Sequence, residues 1–182
     1  MRRIFLLAIP CVLLIGLSLS SCSGAGDPVV TFPDPNLDTA IREALNKPSG
    51  PIYASELAGL ASLSANVSGI EDLSGLQYCT NLQILYLESN QISDISPLAS
   101  LTNLAYVYLE SNQISDISPL ANLTNLTELY LWTNQISDIS PLVDNEGLSI
   151  GDDVHIWGNP LSSDSINIYI PQLEARGVTV IY

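Results

Sequence analysis

The phrase SNQISDISPLA runs from Ser89 to Ala99 and recurs without change from Ser111 to Ala121. A third copy, from Thr133 to Val143, differs only in its first and last residues. The copies begin 22 residues apart, and the leucines that precede them keep the same spacing. This constant period indicates a tandem array of structural repeats, and it decides the fold.

Each unit reads L-x-x-L-x-L-x-x-N-x-I-x-x-I-x-P-L-x-x-L, beginning at Leu82 in the first clear copy. Alternation of apolar residues at Leu85 and Leu87 predicts a short strand with one face inward. Later in the unit, Ser96 as a hydroxyl N-cap and Pro97 behind it predict a tight helical turn. One coil cannot bury its leucines alone, whereas stacked coils bury them in a continuous core, with strands about 4.8 Å apart.

The sequence therefore predicts an α/β solenoid of leucine-rich repeats. Short parallel strands should line its concave face and helical turns its convex face, between an N-terminal helical cap and a C-terminal helix–strand cap. The repeated phrase resembles the 22-residue leucine-rich repeats of the internalin-like class of bacterial surface proteins.

The segment before the repeats predicts a capping helix. Asp34 as N-cap and Pro35 after it mark the start, and Lys47-Pro48 marks the end. Its apolar residues at helical spacing are Leu37, Ala40, Ile41, Ala44 and Leu45. Because the first coil of a solenoid has no preceding coil to cover its hydrophobic core, this helix is expected to cover it. The resemblance implies the same, since internalin-like proteins begin with a helical cap.

A degenerate coil is expected before the clear repeats. Shifted back by 22 residues, the pattern falls on Leu60, Leu63, Ala65, Ser68, Ile70, Leu73, Leu76 and Cys79. This coil keeps the apolar positions and loses the asparagine and the proline.

After the clear repeats the spacing changes, because Asn159 lies 25 residues after Asn134. We expect a longer convex loop around residues 147–153 to take up the difference. Beyond it, Ile166, Ile170 and Leu173 predict a helix that stops before a glycine at position 177, and residues 178–181 predict a strand. The resemblance implies that the chain is complete at this end.

The first residues read as an export signal. Met1-Arg2-Arg3 is positively charged, and residues 4–19 are apolar and uncharged, which is typical of a secretory signal peptide. Leu19-Ser20-Ser21-Cys22 resembles a bacterial lipobox, which implies that Cys22 is diacylated; the alternative is an ordinary signal peptide with an incidental cysteine. A diacylglycerol would hold the protein at a membrane. The expected location is extracytoplasmic, lipid-anchored to a bacterial membrane at the cell surface or its periplasmic face.

Five segments are thus predicted. They are a lipoprotein signal peptide (1–21), the lipidated cysteine with a flexible tether (22–28), an N-terminal cap (29–58), leucine-rich repeats (59–146), and a last degenerate repeat with the C-terminal cap (147–182).

The charge and the cysteine content limit the partners and the chemistry expected of the protein. Arg2 and Arg3 leave with the leader while all 19 acidic residues remain, so the formal net charge moves from −14 to about −16. Such a surface repels nucleic acid, which is not an expected partner. No disulfide pair is available in the exported part, and Cys79 is interpreted as a small core residue rather than a nucleophile.

Outward-facing strand residues should form columns on the concave face. The central column is Tyr86, Tyr108, Tyr130 and His155; beside it run Glu88, Glu110, Trp132 and Trp157, and on the other side Ile84, Tyr106, Glu128 and Asp153. Rings on neighbouring strands would lie within about 5 Å of one another. Aromatic residues flanked by carboxylates suit recognition, although tyrosines could instead serve only to stiffen the sheet.

Two further columns are interpreted as structural. Asn90, Asn112, Asn134 and Asn159 should form a buried ladder that satisfies backbone groups at the turn after each strand. Asp72, Asp94, Asp116 and Asp138 should cap the helical turns. Calcium binding by this acidic column is the alternative, which the lack of an aspartate- and glycine-rich calcium loop disfavours.

Catalysis finds little support, because His155 is the one histidine and has no positioned serine or cysteine partner. Metal binding by Asp152, Asp153 and His155 is a weak signal, and no metal, cofactor or enzymatic activity is expected. We expect a surface-anchored module that mediates protein–protein interaction or adhesion through its concave face. The alternatives are binding of a glycan or cell-wall polymer by the aromatic columns, and a structural role without a specific ligand.

Overall fold

The computed structural model describes residues 26–182, and it has the predicted solenoid architecture. The strands are β1 (Val29–Val30), β2 (Ile52–Tyr53), β3 (Ser62–Ser64), β4 (Ile84–Tyr86), β5 (Tyr106–Tyr108), β6 (Glu128–Tyr130), β7 (Asp153–His155) and β8 (Thr179–Ile181). The α-helices are α1 (Pro35–Ala44), α2 (Ala54–Leu57), α3 (Ser140–Asp144) and α4 (Ile170–Ala175). Three 3₁₀ turns span Leu76–Tyr78, Ser96–Leu98 and Ser118–Leu120, and a π-helical turn spans Ser165–Tyr169.

Strands β3 to β8 pair in sequence order, and every pair is parallel. Leu63 lies opposite Leu85, which confirms the register predicted for the degenerate first coil. The predicted shift at the end of the array is also present, since Leu129 lies opposite Val154. The closing strand β8 joins the sheet through Val180.

The inward side chains of successive coils form one continuous core. Each apolar position of the repeat contributes a stack of side chains with almost no exposed surface. At the repeat position of Leu87, this stack consists of Ala65, Leu87, Leu109, Leu131 and Ile156. Cys79 belongs to the same core, and burial raises the pKa of its thiol to about 12, so it is an inert packing residue as predicted.

The asparagine ladder is present and links each coil to its neighbour. The Asn112 amide nitrogen donates to the carbonyls of Leu87 and Leu109, both at 3.0 Å, and its oxygen accepts from the N–H of Ile92 at 3.0 Å. The same bonds recur at Asn90, Asn134 and Asn159. Each asparagine therefore satisfies backbone groups of two coils, although Asn159 is only partly buried.

The convex turns differ from the prediction in their cap. Ser96 is the first residue of its 3₁₀ turn and not the N-cap, because the Asp94 carboxylate accepts from the Ser96 N–H at 2.8 Å and from its hydroxyl at 3.0 Å. The carboxylates that accept from a serine N–H in the other coils are Asp72, Asp116 and Asp138. Asp94, Asp116 and Asp138 thus accept from the first residue of their turns, the role expected of the acidic column, while the N-cap residue itself is an isoleucine. In the first coil, Ser74 lies before the turn, whose N-cap is Gly75.

The N-terminal cap covers the first coil. Helix α1 packs against β3 and buries Leu37, Ala40 and Ile41, as predicted. Ala44, also predicted to face the coil, is exposed, and Leu45 is partly buried. It ends earlier than Lys47-Pro48, because the backbone turns left-handed at Asn46 (φ 50°).

Asp34 joins this cap to the first coil. One of its carboxylate oxygens accepts from the N–H groups of Asn36 and Leu37 at 2.8 and 3.1 Å, which caps α1. The other accepts from the N–H groups of Glu71 and Asp72 at 2.7 and 3.1 Å. Burial alone would raise the pKa of Asp34, but these four bonds outweigh it and hold the pKa below its ordinary value.

The C-terminal helix departs from α-helical spacing. A π-helical turn places residues five apart on one face, so the buried pair is Ser165 and Ile170. Ile166, predicted to face the core, is therefore 41% exposed. The Ser165 hydroxyl fills the inward position, where it donates to the Ser137 carbonyl at 2.7 Å and accepts from the Ile139 N–H at 3.2 Å.

We expect Asn112→Ala to lower the free energy of unfolding by about 3 kcal/mol, because it leaves buried backbone donors and acceptors unpaired in two coils. The exposed Asn103 donates one bond to the Thr80 carbonyl, so Asn103→Ala is the control and should cost less than about 1 kcal/mol. Urea denaturation measures both. Equal losses would contradict the structural role of the buried ladder.

Asp34→Asn should destabilise the domain by about 2 kcal/mol at neutral pH, because it removes a carboxylate that holds four N–H groups. A lowered pKa in the folded state stabilises the protein above the unfolded-state pKa of about 3.9, and this stabilisation disappears as pH falls through the folded-state pKa. The difference between wild type and variant, measured by denaturation at several pH values, should therefore shrink toward about pH 3. The exposed Asp144→Asn is the control, for which we expect no such pH-dependent difference.

Candidate functional site

The predicted columns are aligned on the outer, concave face of the parallel sheet. Strand register places Tyr86, Tyr108, Tyr130 and His155 side by side, and likewise Ile84, Tyr106, Glu128 and Asp153. The third column follows the strand ends, where Ser111 N donates to the carbonyl of Trp132 at 3.0 Å and Thr133 N to that of Trp157 at 3.0 Å. All ten side chains predicted as ligand contacts therefore belong to one surface.

The central column is a continuous stack of rings. The Tyr86 and Tyr108 centroids are 4.7 Å apart, those of Tyr108 and Tyr130 4.8 Å, and those of Tyr130 and His155 4.3 Å. Interplanar angles are 20°, 24° and 10°. The predicted ring contacts are thus present, and both faces of the two inner rings, Tyr108 and Tyr130, are covered by neighbouring rings.

A second stack of rings lies on the later coils of this face, toward the C-terminal end of the array. The indoles of Trp132 and Trp157 lie 4.7 Å apart and nearly parallel, at 5°. Trp157 is 44% exposed, as expected, whereas Trp132 is only partly exposed because it lies between coils. Large, rigid aromatic surface of this kind suits an interface.

Tyr108 and Glu128 are coupled across the sheet. The Tyr108 hydroxyl donates to a carboxylate oxygen of Glu128 at 2.6 Å, which fixes both side chains on the surface. Burial, together with this carboxylate, raises the pKa of Tyr108, so the phenol stays protonated. Sequence reasoning placed these two residues in separate columns and missed the bond, because a diagonal contact between rungs depends on side-chain rotamers.

Glu110 corrects the sequence interpretation. It was expected to stand exposed beside the tyrosines, but only 6% of it is exposed, because it lies between Glu88 on the preceding coil and Trp132 on the following one. Its Oε2 atom is buried and has no hydrogen-bond donor among the described residues. Burial and the Glu88 carboxyl group raise the pKa of Glu110 to about 7.

Acidic charge on the concave face is not neutralised by nearby bases. The sequence contains no lysine or arginine between Lys47 and Arg176. Within residues 26–182, the two ion pairs lie in the N-terminal cap, where Arg42 meets Asp38 at 2.6 Å and Lys47 meets Glu56 at 2.7 Å. The face therefore presents aromatic edges in a negative field.

Catalytic and metal sites receive no support from these side chains. His155 stacks on Tyr130, and burial together with nearby carboxylates, the first of them Glu128, raises the pKa of that tyrosine. No cluster of three or more potential metal ligands occurs from residue 26 to the C-terminus. The carboxylate of Asp94, like its equivalents in the other coils, already accepts a backbone hydrogen bond at the convex turn.

The signal peptide, Cys22 and most of the tether lie outside the described residues, so the lipidation site stays a prediction. In the part of the chain that the structure covers, no helix is both long and apolar enough to cross a membrane.

Glu110→Gln should stabilise the protein more at pH 8 than at pH 5. The pKa of Glu110 rises on folding from 4.5 to about 7, so the free energy of unfolding falls progressively as pH rises above 4.5. The isosteric amide cannot ionise and therefore removes this pH-dependent loss of stability. We expect a gain on the order of 1–3 kcal/mol at the higher pH by urea denaturation. The exposed Glu174→Gln is the control. A variant with the same pH profile as wild type would contradict the environment described for Glu110.

The repeats match a family model described as leucine-rich repeats in two copies, over residues 59–100 and 102–144. Internalin H of Listeria monocytogenes is 41% identical over 105 residues, which cover 50% of this chain and 19% of that protein. Internalin C of the same species is 34% identical over 88 residues, covering 42% of this chain and 30% of that protein.

A crystal structure of an internalin (inlF) from Listeria monocytogenes is similar with a TM-score of 0.72 and 37% sequence identity. The similarity covers 82% of this chain and 43% of that one, so this chain spans less than half the length of each of these proteins. The matched family is a repeat family and not a catalytic one. Repeat pattern, sheet topology and these similarities together show that the chain is an internalin-like leucine-rich-repeat protein.

Proposed function

We propose that this protein is a surface-anchored binding module whose concave face recognises another protein. The observation that carries the proposal is the pair of aromatic stacks, four rings and two indoles, flanked by carboxylates on one continuous surface. Leucine-rich-repeat solenoids in general use an extended concave surface for binding. Tyrosine and tryptophan supply large contact area at low conformational cost, which favours their use as interface anchors.

The way the rings are presented favours a protein over a glycan. Sugar rings stack on open aromatic faces, but Tyr108 and Tyr130 have both faces covered by neighbouring rings. What they offer a ligand is ring edges, a hydroxyl and adjacent carboxylates, which match the polar and apolar mixture of a protein surface. Trp157, 44% exposed, retains the most open indole and is where a polysaccharide would find a platform.

Attachment to a membrane is the second part of the proposal. Cys22, as the lipidated residue, would leave a short tether of small residues before β1, so the anchor lies on the side of the N-terminal cap. Two acyl chains on one cysteine provide stable membrane attachment. The concave face would then be displayed on the extracytoplasmic side of a bacterial membrane.

The test is affinity capture from bacterial and host surface extracts with soluble residues 23–182 and with the variant Tyr108→Ala/Trp132→Ala. The variant removes one ring from each stack and should lose the partner, since truncating an interface anchor costs about 2 kcal/mol or more. The matched control is Ser100→Ala/Asn122→Ala, two exposed positions on the convex side. All three proteins are first shown to be folded by circular dichroism and thermal melting.

Proteins retained by wild type and control but not by the aromatic variant would support the proposal. Polysaccharide retained with that same pattern would replace the protein partner by a glycan. Equal retention by all three forms would move the binding site away from the concave face.

A further inference from the structure

Glu88, Glu110 and Trp132 occupy the same position on three successive coils of the concave face. The coils are held in register by backbone bonds, with Ser89 N donating to the Glu110 carbonyl at 2.9 Å and Ser111 N to that of Trp132 at 3.0 Å. Glu110 is the buried member, and Glu88 beside it is partly exposed. Glu110 is therefore set back between two partly exposed neighbours, and the three side chains together are called the recess.

The buried carboxyl group lacks the partner that its position demands. Oε2 of Glu110 has no hydrogen-bond donor within the described residues, although buried polar atoms are nearly always satisfied. No base of the array can serve, since the repeats contain neither lysine nor arginine. Arg176, the remaining base of the described chain, donates to the carbonyls of Val143 and Asn145 in the C-terminal part of the fold.

We propose, on the basis of the function proposed above, that Glu88, Glu110 and Trp132 form the subsite for a basic side chain of the protein partner. A guanidinium or ammonium group would donate hydrogen bonds to the two carboxylates and lie against the indole. Charge-assisted bonds to a carboxylate pair and contact with an aromatic face are the interactions that such a cation makes best.

Binding at this subsite exchanges a proton for the cation. In the free protein, burial and the neighbouring Glu88 carboxyl group raise the pKa of Glu110 to about 7, so Glu110 carries a proton below that pH. The titratable residues on the strands of these three coils are Tyr86, Tyr106, Tyr108, Glu128 and Tyr130, and none of them is basic. Of these, Tyr130 interacts electrostatically with Glu110. The arriving cation stabilises the ionised form of Glu110 beside Glu88, and the proton that leaves Glu110 passes to solvent.

A metal ion fits the recess less well than an organic cation. Calcium takes six to eight oxygen ligands, roughly twice the number that two carboxylates supply. No third potential ligand joins them within residues 26–182. The indole, which cannot ligate a metal, offers an organic cation an additional aromatic contact.

The chain supplies its own reporter for the test. Its only tryptophans are Trp132 and Trp157, which are stacked on each other, so indole fluorescence of the full-length protein in detergent reports on this stack, whose Trp132 belongs to the recess. We would titrate the protein with a short Gly–Arg repeat peptide, its Gly–Lys counterpart, the uncharged Gly–citrulline counterpart, and calcium chloride.

The arginine and lysine peptides should change the emission and the citrulline peptide should not. Their affinity should rise about tenfold between about pH 6 and about pH 8, the change expected when one proton titrating near neutrality competes with the ligand. Glu110→Gln, which mimics the protonated acid, should bind about tenfold more weakly at the higher pH and show no pH dependence. Glu174→Gln removes a carboxylate elsewhere and should behave like wild type.

Three results would overturn the inference: an equal response to citrulline, a pH dependence that persists in Glu110→Gln, or a saturable calcium response that excludes the arginine peptide. Each leaves the proposed function standing if the capture experiment still finds a partner lost with the Tyr108→Ala/Trp132→Ala change. Conversely, peptide binding with the predicted pH dependence but no captured partner would count against the proposed function and not against the recess as a cation site.

Discussion

From the first clear repeat onward, each coil of this solenoid passes from its strand to its return segment at one asparagine, and the rest of the structure depends on that amide. Asn112 binds carbonyls of its own coil and of the coil before it, and accepts from an N–H of that earlier coil. A buried turn would otherwise leave these groups without partners. Because the amide holds two coils at a fixed offset, the leucines below it stack and the outward rings above it meet face to face.

Much of the fold could be predicted because the repeat pattern constrains it directly. The period of 22 fixed the pairing of β3 with β4 even where the asparagine and proline were missing, since Leu63 and Leu85 still needed one core. Details set by local competition were not predictable. Ser96 and Asp94 both cap turns well, and only the backbone path shows that the aspartate does so. The π-helical turn that buries Ser165 instead of Ile166 is a single turn, too short to show a repeating apolar pattern from which it could be predicted.

The candidate site was predictable as a surface and not as a set of interactions. Strand alternation and register were enough to identify the columns, because outward positions follow from inward ones. The Tyr108–Glu128 bond and the burial of Glu110 depend on how neighbouring side chains fill the space between rungs. These are the features that turn a row of acidic and aromatic residues into groups with distinct chemistry.

The identity of the phrases at residues 89–99 and 111–121 has an evolutionary consequence. Because the two phrases supply the same buried isoleucines, leucine and asparagine, an in-frame duplication or deletion of one unit keeps the apolar stack and the asparagine ladder continuous. Such an event would lengthen or shorten the concave face by one strand spacing of about 4.8 Å and change the central column by one ring. Recombination between the two identical segments could therefore alter the reach of the binding surface in one step, while the caps at both ends are retained.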